Sequence, residues 1–128
     1  MTAARRVIAD NYEHGRHHIG AAVRMRDGRV FAGVHVEAYV GRIALCAEAV
    51  ALGAALSAGA RGVETVVAVA HEPHAEAPVV APCGMCRELI SDFGLDAWVI
   101  IPSGDGPPRK VAAVDLLPEK YTRSDASS

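Results

Sequence analysis

Hydrophobic positions along the chain switch between helical and strand-like spacing, and the switches mark its elements. Within 3–15, Val7, Ile8 and Tyr12 fall near one face at helical spacing, which predicts an N-terminal helix. Over 19–26 the period becomes two, with Val23 and Met25 alternating with Arg24 and Arg26, as in a half-buried strand. Asp27-Gly28 predicts a two-residue hairpin turn, because glycine accepts positive φ without a steric cost, and 29–36 predicts the returning strand. A connection through Tyr39 and Gly41 leads to 45–58, which is alanine-rich and apolar nearly all round and predicts a buried helix. Gly59 and Gly62 mark its exit.

The β-branched run at 63–70 predicts an interior strand. Residues 71–81, with Pro73 and Pro78, read as a loop, and 84–93 as a short helix stopped by Gly94. A buried strand at 97–101 places Trp98 in the core. A Gly/Pro loop then runs to Pro108, followed by a fifth strand at 110–114, a terminal turn at 116–121 and a disordered tail at 122–128. The order α-β-β-α-β-α-β-β predicts a three-layer α/β domain, one mixed sheet covered by helices.

Composition narrows the function classes. A length of 128 residues fits a single domain, 1–128, and 51% hydrophobic residues can fill a proper core. A net charge of −2 and 5% aromatic residues argue against a nucleic-acid partner, which calls for a basic face or a stacking platform. No apolar run approaches the ~20 residues that span a bilayer, and no signal-peptide pattern follows Met1, so no membrane partner and a cytoplasmic location are expected. The three cysteines cannot all pair within one chain. In a reducing compartment a Cys-x-x-Cys unit points to metal or redox chemistry rather than to a structural disulfide.

Those cysteines fall in two clusters, Cys46-Ala47-Glu48 and Pro82-Cys83-Gly84-Met85-Cys86-Arg87, each at a predicted helix start. Zinc takes thiolates readily, and a catalytic zinc characteristically keeps three protein ligands and one open position. A helix N-terminus favours thiolate ionisation, and Pro82 suits a helix entry, where a missing N–H does no harm. Two other readings stay open on spacing alone. One is a thioredoxin-like redox pair, in which Cys46 is a spare. The other is a closed structural zinc site completed by His35, His71 or His74. Glu48 is ambiguous, since residues i and i+2 of a helix point apart. Its apolar neighbours nevertheless place it on a buried helix, where a carboxylate needs a partner or a task.

The two clusters together resemble the zinc signature of the cytidine deaminase superfamily, His or Cys two before a Glu and then Pro-Cys-x-x-Cys. Gly33-Val34-His35-Val36-Glu37 is similar to the segment that holds the nucleoside sugar in the small members, and Leu116-Leu117-Pro118-Glu119-Lys120-Tyr121 to their terminal Leu-Leu-Pro element. Three stretches, His17 to Ala22, His35 to Arg42 and Pro82 to Asp92, resemble a narrower branch, the bacterial blasticidin-S deaminases. The resemblance spans about residues 10–123.

It implies a five-stranded mixed sheet, a homotetramer with sites near subunit interfaces, and one Zn2+ per subunit held by Cys46, Cys83 and Cys86. It also implies hydrolytic deamination of a small-molecule cytosine nucleoside, with Glu48 moving the protons. The Ala47 carbonyl and the Cys83 N–H would contact the base, and Glu37 a sugar hydroxyl. The chain departs from the pattern at three places. His35 stands for the usual Asn of the sugar segment, His17 for a Phe-type position against the base, and Ala49 for an Arg that offsets the thiolates. With that Arg gone, Arg87 and Arg42 become candidates to balance the charge. The departures favour blasticidin S or a related aminonucleoside over plain cytidine or deoxycytidine. A non-catalytic zinc module and a thiol-disulfide protein are the competing classes; each leaves Glu48 or Cys46 without a role.

Overall fold

The computed structural model describes residues 1–14, 16–41 and 44–122. The candidate Arg42 and the tail 123–128 lie outside the described residues. The elements are α1 (Thr2–Asn11), β1 (Ile19–Met25), β2 (Val30–Val34), α2 (Ala47–Ser57), β3 (Val63–Ala70), β4 (Val79–Val80), α3 (Gly84–Phe93), β5 (Trp98–Ser103) and β6 (Gly106–Ala112), with a 3-10 turn at Ala113–Leu116.

The strands run in the order β2-β1-β3-β5-β6. β3 pairs antiparallel with β1 and parallel with β5, which makes the sheet mixed and puts the β-branched run at its centre. The two-residue β4 pairs with Ala68 and Val69 of β3. Alternation along the strands divides the core. Ala21, Val23 and Met25 of β1, Val66 and Ala68 of β3, and Val99 of β5 pack with Ala51, Leu52 and Ala55 of α2 and Ile90 of α3. On the opposite face Ala4 and Ile8 of α1 pack on Ala22, Val67 and Val69. Three layers result, as the helix and strand order implies.

Several boundaries differ from the sequence reading, each for a physical reason. The first hairpin turns through three residues rather than two: Gly28 N–H donates to Met25 O, Met25 N–H to Arg29 O, and Gly28 sits at φ +92°. Of the stretch read as a loop up to Pro108, Pro102 and Ser103 end β5 and Gly106 to Pro108 begin β6, because an edge strand tolerates prolines that a central one does not. The 71–81 loop contains β4, too short to leave a periodic signal. Trp98 is not core but 46% exposed. Its neighbour Val99 faces α2 and α3, so Trp98 faces the other way. There α1 covers β1, β2 and part of β3 and leaves β5 open.

One contact controls where α2 sits. A Cβ on Gly33 of β2 would lie 2.7 Å from Ala51 N and 2.8 Å from Val50 Cγ1, so the helix backbone rests directly on the strand. Gly53 on the outer side of α2 has open space around it. Gly33→Ala should therefore destabilise the protein by about 1–3 kcal/mol, the usual cost of overpacking. Gly53→Ala should stabilise it by about 0.5–1 kcal/mol through helix propensity. Urea midpoints of the two variants against the unmodified protein measure both signs.

Candidate metal centre and its surroundings

Both cysteine clusters are helix entries. Cys46 is the N-cap of α2 (φ −70°, ψ 149°) and Cys83 the N-cap of α3 (φ −69°, ψ 169°). Cys86 lies in the first turn of α3 and is fully buried. An N-cap side chain turns back over the first turn, which brings residues three apart together. This is why a Cys-x-x-Cys spacing at a helix start converges two sulfurs on one point.

The three Sγ atoms lie within 4.8 Å of one another, with Cys46 Sγ and Cys83 Sγ 3.5 Å apart. Thiolates ~2.3 Å from a tetrahedral zinc are roughly 3.8 Å apart, so the donor set fits that ion. No other trio of His, Cys, Asp or Glu among the described residues offers a comparable cluster. None of His35, His71 and His74 joins it: His71 stacks on Tyr12 with ring centroids 3.6 Å apart, and the His35 ring is held by other partners. The donor set is thus three sulfurs with no fourth protein ligand among the described residues.

The N-cap conformation also resolves Glu48. Cys46 stands outside the helix, so the wheel rule that separates i from i+2 does not apply to this pair. Glu48 is 7% exposed and lines the same cavity as Cys46 and Cys83. Burial raises its carboxyl above the ordinary range, opposed by its own backbone N–H and by the Cys86 thiol. Burial, then the Glu48 charge, drives the Cys86 thiol up; burial and the Cys83 thiol raise Cys46. At Cys83 burial also pushes upward, but the Cys86 N–H and the other two thiols outweigh it and the net shift is down.

The cavity measures about 280 Å³ and is lined by Ile19, His35, Cys46, Ala47, Glu48, Val80, Ala81 and Cys83. His35, Ala47 and Cys83 are therefore brought together with the metal cluster. Glu37 stands beside it, its Oε2 2.9 Å from His35 Nε2. The His17 ring is not in the lining; its Nδ1 bonds the His35 carbonyl at 2.8 Å. Val80 and Ala81 were missed from sequence together with β4, and the paired valines after Pro78 were the only signal for them. A larger hollow of about 530 Å³ beside α1 is lined by no thiol, histidine or carboxylate, so volume does not locate the chemistry.

Arg87 sits against the metal loop. Its Nε donates to Pro82 O at 3.0 Å and its Nη1 to Leu116 O at 3.4 Å, which braces the residue before Cys83 against the terminal turn. Lys120 pairs with Glu88 and Asp92 of α3 and fastens the Leu-Leu-Pro segment to the same helix. Ala49 is half-buried and brings no charge. The positive ends of α2 and α3 face the thiols instead.

Three thiols placed to hold one metal ion with a buried carboxylate beside them, at two helix entries on one face of a mixed sheet, suit a zinc-dependent hydrolytic enzyme of the α/β class. The chain belongs to the family described as the cytidine and deoxycytidylate deaminase zinc-binding region, whose sequence model matches residues 1–101. It is 47% identical over 117 residues to the blasticidin-S deaminase of Bacillus cereus, covering 88% of this chain and 83% of that one. The cytidine deaminase of Halalkalibacterium halodurans is 32% identical over 113 residues, with 88% and 83% covered. The crystal structure of cytidine deaminase from Burkholderia pseudomallei superposes with a TM-score of 0.77 at 31% identity, over 94% of each chain.

Replacing Cys83 with Ser should leave the fold intact, because this side chain is exposed, and reduce bound zinc from about one per chain to a small fraction. Chelation of the unmodified protein should lower its melting temperature, since the assembled thiols exist only in the folded state. Elemental analysis and thermal scans with and without chelator read the two effects.

Proposed function

We propose that the protein catalyses zinc-dependent hydrolytic deamination of a cytosine nucleoside, with blasticidin S or a related aminonucleoside as first substrate and cytidine or deoxycytidine as the alternative. The observation that carries this reading is the convergence of Cys46, Cys83, Cys86 and the buried Glu48 on one cavity. The 47% identity to a blasticidin-S deaminase orders the substrates.

Zinc, when bound, supplies a Lewis acid that brings the pKa of water down toward ~7. The remaining chemistry belongs to the chain. Glu48 accepts a proton from the attacking water and delivers it to N3 of the base. It then assists protonation of the departing amino group, so that cytosine ring and water become uracil ring and ammonia. The Ala47 carbonyl and the Cys83 N–H hold the base at the cavity wall, and Glu37 accepts a hydrogen bond from a sugar hydroxyl. Arg87 keeps the Pro82–Cys83 peptide in place, while the α2 and α3 N-termini offset the thiolate charge.

A homotetramer is part of the reading. Leu45 and Met85, next in sequence to metal-cluster residues, are half exposed or more. Apolar surface of that kind beside a site favours burial against other copies. A cytoplasmic location suits three cysteines that act as thiolates. No helix among the described residues is long and apolar enough to cross a membrane.

A panel of blasticidin S, cytidine, deoxycytidine and cytosine, followed by loss of ultraviolet absorbance, should give the highest kcat/KM with blasticidin S. Failure to turn over any cytosine compound would overturn the substrate class. Glu48→Gln should retain zinc and lose activity by about 10²–10⁴-fold, and near-normal turnover would remove Glu48 as the proton carrier.

A further inference from the structure

The ring of His35 has no free polar atom to offer a ligand. Its Nδ1 lies 3.0 Å from the backbone N of His18, which can only donate, so Nδ1 is the acceptor. The ring proton is then on Nε2, 2.9 Å from Glu37 Oε2, and is donated to that carboxylate. A second histidine supports the first. His17 Nδ1 lies 2.8 Å from the His35 carbonyl, an acceptor only, so His17 carries its proton on Nδ1 and pins the peptide from outside.

The segment from His35 to Glu37 is stitched at every residue. His35 N–H donates to Ile19 O, Val36 exchanges both backbone bonds with Leu45, and Glu37 N–H donates to Arg16 O. Leu45 precedes Cys46, so this ladder sets Glu37 in register with the metal cluster. Glu37 is about half exposed at its side chain, whereas His35 is 16% exposed. One oxygen of this half-exposed carboxylate is thereby held by a largely buried ring that itself lines the cavity.

We infer that His35 is a positioning residue: through its Nε2–H it holds the Glu37 carboxylate in the orientation that binds the sugar hydroxyl of the substrate. It acts in place of a direct sugar ligand and sets discrimination between a nucleoside and a bare base. This rests on the proposed role of Glu37 in sugar binding and adds to it the group that aims Glu37.

The test uses the zinc-loaded protein with a nucleoside, blasticidin S or cytidine, and with free cytosine as the sugarless control. His35→Ala should raise KM for the nucleoside roughly tenfold, the worth of one hydrogen bond to a charged group, with kcat within about twofold and zinc content unchanged. The loss with free cytosine should be smaller than the loss with the nucleoside. Gln places its amide N–H where Nε2–H was, so His35→Gln should restore most of the nucleoside KM; Met is of similar length but has no donor, so His35→Met should not.

Equal performance of His35→Met and His35→Gln would overturn the inference, as would a His35→Ala loss shared equally by cytosine and nucleoside. If Glu37→Ala raises the nucleoside KM and His35→Ala does not, the relay fails and the sugar reading stands. If Glu37→Ala also leaves KM unmoved, the sugar reading itself fails. Nitrogen NMR gives a readout independent of turnover. The His35 ring should be in its Nε2–H form at neutral pH, and an Nδ1–H form would sink the relay even if no nucleoside proves to be a substrate.

Discussion

Everything at the site depends on two helices beginning at the same point. α2 and α3 aim their N-termini at one spot, and each opens with a cysteine as its cap. A cap residue is the only position whose side chain lies over the first turn while its backbone is still extended. Three sulfurs and a carboxylate therefore converge without any irregular backbone, and the helices that hold them supply unsatisfied N–H groups facing the negative charge they bring. Gly33 guards this arrangement from a distance. It lets α2 rest on β2 by its backbone, and anything larger would tilt the helix that carries Cys46 and Glu48.

The chemistry was legible in the sequence further than the fold details were. Residue type and spacing made Cys46, Cys83 and Cys86 candidates for a metal, the family resemblance chose that reading over a redox pair, and 63–70 and 84–93 have the same bounds in the structure. Glu48 could not be placed by periodicity, because the wheel argument assumed that Cys46 was already helical; its cap conformation is a property of one dihedral pair. Trp98 and β6 were misjudged for a common reason. Hydrophobicity and turn propensity say what a residue prefers, not which side of a sheet lacks a helix or which strand lies at the edge. His35 marks a different limit. Its residue type was noticed as a departure from the family pattern, but the role inferred for it depends on a backbone N–H from His18, distant in sequence, which no local pattern displays.

Two kinds of positioning support the centre. Arg87 and Lys120 tie the terminal turn to the start and flank of α3, so the last described segment steadies the loop before Cys83. The 35–37 ladder does the same for Cys46 through Leu45. Each cysteine cap is thus backed by a different stretch of chain, one late in the sequence and one early. The cavity between them is walled by β4, the shortest element of the fold.

The prolines of β6 bear on more than the fold of their own chain. Successive residues of a strand direct their amides to opposite edges, so of Pro107 and Pro108 one deprives the outer edge of a donor. A sheet blunted in this way cannot readily recruit a neighbour's strand along that border. In the proposed homotetramer, contacts would then run between faces, where the rim around the thiols lies, and not by open-ended growth of the sheet.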